Sequence, residues 1–205
     1  MGQMKCNRTV FMDIGRSVAA EGGGMRPELP ERLTDYLTGS EIPFSNRDNI
    51  RQKILRFLVE ERRYLKSDIQ VDSEIHFEAD GEKFRSPVDI AIIIEGRTLI
   101  VWKCASGSLV SRERQIIAAA RLLEDHVVPL SVVTNGQGLE VLDSCSERVI
   151  GVGFTAVPYR EDLLRDAGDL QMRKMKKAKI IYEQRILSTY DSIACPSSCS
   201  LKDQS

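Results

Sequence analysis

A mixed α/β fold built around an antiparallel hairpin is predicted by three features of the sequence. Residues 86–103, SPVDIAIIIEGRTLIVWK, hold two apolar runs of strand length, rich in β-branched side chains, on either side of the polar Glu95-Gly96-Arg97. Helical spacing of apolar residues recurs before and after this stretch, at Ile50, Ile54, Phe57 and Leu58 and again at Ile116, Ile117, Ala120 and Leu123. The largely apolar residues 127–134 then read as a strand in the interior of a sheet.

Size and composition set the limits. At 205 residues, 42% hydrophobic and 29% charged, the chain can bury one sizeable core, so one domain with extensions is expected. The net charge of −1 gives the molecule as a whole no electrostatic claim on nucleic acid, so any such binding has to come from a local patch. No apolar run approaches the roughly 18 residues that span a bilayer. Residues 1–25 carry Arg8, Asp13, Arg16 and Glu21 without a hydrophobic block, so no membrane association and a cytoplasmic location are expected. The cysteines, Cys6, Cys104, Cys145, Cys195 and Cys199, are odd in number and scattered, as suits reduced thiols.

In chain order, residues 1–44 lack sustained periodicity and contain Gly22-Gly23-Gly24, Pro27, Pro30 and Pro43, which predicts a mobile arm with at most a short helical turn around residues 31–37. Ser45-Asn46-Arg47-Asp48 has the spacing of a helix start, and the helix extends to about Arg63. Residues 69–77 alternate through Ile69, Val71, Ser73, Ile75 and Phe77 as a half-buried strand, and Asp80-Gly81 turns the chain into the central hairpin. Ser106-Gly107-Ser108 is a loop, and Ser111 is the expected N-cap of a second helix ending near Asp125. Asn135-Gly136 ends the strand of residues 127–134, and residues 139–142 and 148–152 form a trailing hairpin across a polar turn. One domain is therefore expected over 45–158. Residues 159–194 predict a helical extension broken near Gly168, which packs on the domain, on a partner protein or on a second copy of the chain (self-association), followed by a disordered tail at 195–205.

The candidate site follows from the hairpin. A turn centred on Gly96 sets Asp89 opposite Lys103, and both interrupt otherwise apolar strands on one face. The helix at Arg47 to Arg63, Pro87-Val88-Asp89, Val101-Trp102-Lys103, Gln115 and Val132-Val133-Thr134-Asn135-Gly136 together resemble the PD-(D/E)xK nuclease fold. More closely, they are similar to the nuclease-like N-terminal domain of the restriction subunit of type I restriction enzymes.

The resemblance implies a restriction-endonuclease-like core (helix, three-stranded antiparallel meander, helix, strand), DNA as substrate and Mg²⁺ as cofactor. Phosphodiester hydrolysis in such a site uses a hard cation held by carboxylates and waters. Asp89 would be a metal ligand and Lys103 the residue that positions or activates water. Val101, however, stands where the family has its second carboxylate, and Ala119 where a tyrosine follows the glutamine. Glu113, in the first turn of the next helix, is then the candidate replacement ligand, with Glu74 a weaker one, and Gln115 could add a contact to metal-bound water. A catalytically silent member that binds nucleic acid or a partner protein is the alternative, and a purely structural Asp89–Lys103 pair is a third reading.

Arg112, Arg114 and Gln115 are further candidates for DNA contact, and so is the basic run holding Lys174, Lys176 and Lys177. A solvated helix face explains the same charges. Cys195 and Cys199 have the spacing of half a zinc site without a second pair. Trp102 and Cys104 alternate away from Lys103 and are expected in the core. No phosphate-loop motif is present in these residues, so the chain is not itself a complete translocating subunit.

Overall fold

The computed structural model describes residues 30–166, 173–190 and 193–194. The described residues open with β1 (Arg32–Thr34) and β2 (Glu41–Pro43), an antiparallel pair where a short helical turn at most is expected. Turn chemistry decides against the helix. The Asp35 carboxylate accepts from the backbone N–H groups of Leu37 and Thr38 at 3.1 and 2.9 Å, and Gly39 takes φ of +76°. The turn is fixed to the first helix, because Gln52 accepts from the Tyr36 N–H at 2.7 Å and donates to Asp35 at 3.0 Å.

The first helix, α1 (Asn46–Glu60), begins where the sequence places it: Ser45 Oγ accepts from the Asp48 N–H at 2.9 Å and donates to its carboxylate at 2.5 Å. There follow β3 (Ile69–Ala79), β4 (Glu82–Ile94) and β5 (Arg97–Cys104), an antiparallel meander. Both of its turns are two-residue turns, Asp80-Gly81 and Glu95-Gly96, in which each residue has positive φ, the pairing that matches strand twist. Past Ile94↔Arg97 and Ile93↔Thr98 the register shifts, leaving Leu99 as an extra residue on β5. The pairs that follow, Ile92↔Ile100, Ala91↔Val101 and Ile90↔Trp102, are those of a turn centred on Gly96. The bulge thus delivers the register expected from the sequence through a shorter turn.

The second helix, α2 (Val110–Leu122), starts from Leu109 and not from the expected Ser111, whose hydroxyl donates back to the Ser108 carbonyl at 2.9 Å. A hydroxyl inside the first turn is used on the preceding loop, so it does not cap the amides ahead of it. The chain then enters β6 (Leu130–Thr134), parallel to β5, and continues through β7 (Leu139–Asp143) and β8 (Arg148–Val152), both antiparallel to their predecessors. The extension contributes α3 (Arg160–Asp166), α4 (Lys177–Ser188) and β9 (Ile193–Ala194), which pairs with β4 at Phe84 and Arg85. Such a strand was not expected. The helix break at Gly168, Cys195, Cys199 and the tail lie outside the described residues.

The sheet runs β3-β4-β5-β6-β7-β8, with β9 beside β4, and helices cover both faces. On one face Ile54, Phe57 and Leu58 of α1 pack on Ile90, Ile92, Ile100, Trp102 and Val132. On the other, Ile116, Ile117 and Ala120 of α2 and Leu187 of α4 pack on Ala91, Val101, Val133 and Leu142. This is a mixed α/β architecture compatible with a nuclease-like fold. Trp102 is fully buried, but its indole N–H has no hydrogen-bond partner. Trp102→Ala is expected to lower stability by about 3–5 kcal/mol in urea denaturation. Trp102→Phe, which gives up volume but no hydrogen bond, costs far less.

Candidate functional site

Asp89 lies one step beyond the ladder pair Ile90↔Trp102, so the same register sets it against Lys103, and alternation puts both on the side of Ala91 and Val101. Both side chains are buried, at 0% and 3% exposure. The Asp89 carboxylate is fully engaged: Oδ1 meets the guanidinium of Arg47, in the first turn of α1, and Oδ2 accepts from the Cys104 N–H at 2.6 Å. Burial pushes this carboxyl up, against the opposing pull of the Lys103 and Arg47 charges and of its hydrogen bonds from Cys104 and Arg47. Arg47 is the participant missed in the sequence, where it reads as an ordinary first-turn residue. Its signal is only that a buried acid needs a cation and that the helix start is aimed at the middle of β4 and the end of β5.

The replacement carboxylate is elsewhere. Glu113 stands beside Glu140 of β7, whose carboxyl is raised by burial and then by its interaction with Glu113. Glu140 stands level with Val133, and Val133 with Lys103, which puts Glu140 three strands from Asp89, roughly 14 Å at ordinary strand spacing. Glu74 turns to Arg85 at 2.9 Å and His76 at 3.3 Å. Val101 is buried in the core under α2. Gln115 is 1% exposed, and its Oε1 accepts from Arg112 at 3.3 Å while its Nε2 has no partner.

These donors do not fit Mg²⁺. The cation requires several open oxygen ligands, whereas both oxygens of Asp89 are held by protein donors and its neighbour at position 101 is aliphatic. Among the described residues no three His, Cys, Asp or Glu side chains converge on a point that could hold a metal ion.

The basic candidates divide. Arg114 is drawn away from the loop: it donates to Glu183 of α4 at 2.6 Å, and Arg121 reaches the same carboxylate at 2.7 Å. Glu183 is completely buried, so α4 spends its inward face on α2 through this carboxylate and Leu187. On the sequence Glu183 reads as a solvated helix residue. Lys174 pairs with Asp125 at 3.2 Å, whereas Lys176 and Lys177 are exposed and pair with no carboxylate among the described residues.

A sheet covered by helices on both faces, with an acid and a lysine buried on its central hairpin, defines the class: a mixed α/β domain, compatible with a nuclease-like fold. Residues 46–158, more than half of the chain, match the family described as type I restriction enzyme R protein N terminus, and the chain belongs to that family. The match runs from the start of α1 to just short of α3, so it contains Arg47, Asp89, Lys103, Glu113 and Glu140 and leaves out α4. No match is found among curated proteins or among solved structures. No helix among the described residues is long and apolar enough to cross a membrane.

Two outcomes follow from this geometry. Arg47→Ala strands a buried carboxylate and is expected to destabilise the protein by about 3 kcal/mol at neutral pH. The loss shrinks at acid pH, where Asp89 takes a proton, and Asp89→Asn in the same chain recovers part of it; urea denaturation across pH reads both. For Glu140 the folded state holds a proton more tightly than the unfolded chain, so its contribution falls as pH rises above the ordinary carboxylate value. Glu140→Gln removes that slope and raises stability at neutral pH, as thermal unfolding against pH will register.

Proposed function

We propose that this chain is a restriction-endonuclease-like domain that engages DNA, with Asp89 and Lys103 retained as a charge-compensated structural pair instead of a metal-dependent cleavage centre. The element order supports the core assignment: helix, three-strand meander, helix and parallel strand, in a family whose name ties it to restriction. The observation that carries the reading is the dispersal of the carboxylates. Glu113 stands beside Glu140, both oxygens of Asp89 are held by Arg47 and the Cys104 amide, and Val101 sits in the core. The affinity for DNA is assigned to the basic stretch ahead of and entering α4, where Lys176 and Lys177 are exposed without acidic partners among the described residues.

One observation favours a second reading, Mg²⁺-dependent DNA cleavage by Asp89, Lys103 and Glu113. Asp89 and Lys103 face one another in register on neighbouring strands, and the Lys103 charge acts on Asp89. That reading requires Arg47 to release Asp89 and Glu113 to leave Glu140.

A nicking assay on supercoiled DNA with Mg²⁺ and with Mn²⁺, run on wild type and Asp89→Ala, separates the two. The expected result is no metal-dependent nicking by either. Nicking by wild type that disappears in Asp89→Ala would install the second reading. Duplex binding is expected to weaken with salt, and neutralising Lys176 and Lys177 together should reduce the log–log salt slope by about 2.

A further inference from the structure

We infer that the cavity between the start of α4, the end of α2 and the turn joining β7 to β8 binds the phosphate of a single nucleotide unit, at a site apart from Asp89 and Lys103. The cavity holds about 290 Å³. Its walls carry Arg121, Arg173, Lys174, Lys176 and Lys179, and Val127 and Met175 supply an apolar surface between them.

The charges are built in, not merely present. Arg121 is 6% exposed and held on four sides: by the Ser144 and Cys145 carbonyls at 3.0 Å each, by Glu147 at 2.6 Å and by Glu183 at 2.7 Å. Lys179 meets the same two carboxylates, at 3.2 and 3.5 Å. Glu183 is shared again with Arg114 and Lys174 pairs with Asp125, so among the described residues Glu147, Glu183 and Asp125 face a larger number of cations. The surplus is felt by Glu147: burial would raise its carboxyl, but hydrogen bonds from Arg121 and Lys179 and the field of Arg121 and Arg114 bring it down to about 2.

The start of α4 adds to this. Its first turn, Lys177-Ala178-Lys179, contains no acid, and Lys176 at the N-cap provides no side-chain acceptor. Helices normally place a carboxylate there, against the positive end of their dipole. A phosphate would serve these amides and the lysines together. The volume lies at the small end of organic ligand pockets, which suits one phosphorylated sugar with part of a base on Val127 and Met175. Cys145 borders the cavity as a neutral thiol, since burial and Asp143 push its pKa up.

The choice of a nucleotide among phosphate compounds rests on the DNA-engaging reading above. The experiment titrates the full-length chain with dAMP, inorganic phosphate and deoxyadenosine by isothermal calorimetry. Binding of dAMP, competition by inorganic phosphate and no binding of deoxyadenosine are expected. Lys176→Gln should weaken dAMP by about tenfold or more, the worth of one charged hydrogen bond. Lys176 is exposed, so thermal unfolding should be unchanged in that variant, and Lys53→Gln on α1 should bind dAMP like wild type.

Comparison of 5′-phosphorylated with 5′-hydroxyl single strands then separates the sources. Tighter binding of the phosphorylated strand assigns the pocket to a strand end, and equal binding assigns it to free nucleotide. Absence of dAMP binding at about 1 mM, weaker than any pocket of this charge should be, or binding indifferent to Lys176→Gln, overturns the proposal. Duplex binding without dAMP binding removes the pocket alone. Binding of dAMP without duplex binding leaves the pocket and removes the DNA-engaging reading.

Discussion

A carboxylate taken wholly out of water is the constraint around which this domain is arranged. Asp89 cannot be left alone in the interior, because an unpaired buried charge costs several kcal/mol. Three separate parts of the chain answer it: the first turn of α1 through Arg47, the end of β5 through the Cys104 amide, and the neighbouring strand through the Lys103 charge. Each answer fixes a geometric relation. The α1 start is drawn to the end of the central hairpin, and β4 is locked to β5 beyond the last ladder pair. The hydrophobic contacts of Ile54, Leu58 and Trp102 then close one face on a frame already oriented by charge.

The other face uses the same device a second time. Glu183 is as deeply buried as Asp89, and α2 meets it with Arg114 and Arg121 while Leu187 packs beside it. Hydrophobic area attaches α4 without specifying its rotation, whereas a carboxylate that must meet two guanidinium groups does specify it. This arrangement also gathers the cations of the α4 start beside Arg121, and it consumes Arg114, which otherwise faces the loop before α2. Where basic residues remain exposed is thus decided by where one acid is buried.

The sheet was legible in the sequence because its signals are local. Period-two alternation announced β3, the paired apolar runs announced β4 and β5, and Asp80-Gly81 and Glu95-Gly96 announced their turns. The register of Asp89 was legible for the same reason, since a hairpin fixes what faces what. The β1–β2 pair was not legible: its strands are three residues each, too short for alternation, and its turn depends on the Asp35 carboxylate and on Gln52 from another element. The destinations of Glu113, Arg114 and Glu183 were illegible on stronger grounds. A charged residue on a helix reads as solvated until the neighbour that covers it is known, and each of these partners comes from a different element.

The same reasoning limits what an aspartate and a lysine on adjacent strands report about cleavage. Once Arg47, the Cys104 amide and Lys103 surround Asp89, removing any one of them leaves a buried group unsatisfied, so the pair stabilises the fold whether or not phosphodiesters are cut. Its presence therefore separates the two functions poorly. The position of the second carboxylate separates them well, because a carboxylate at residue 101 would be tolerated beside Asp89 only with a cation between them, whereas Val101 packs under α2 with no such requirement. The information about chemistry thus resides in the residue that departs from the pattern, and Val101 directs the reading toward binding.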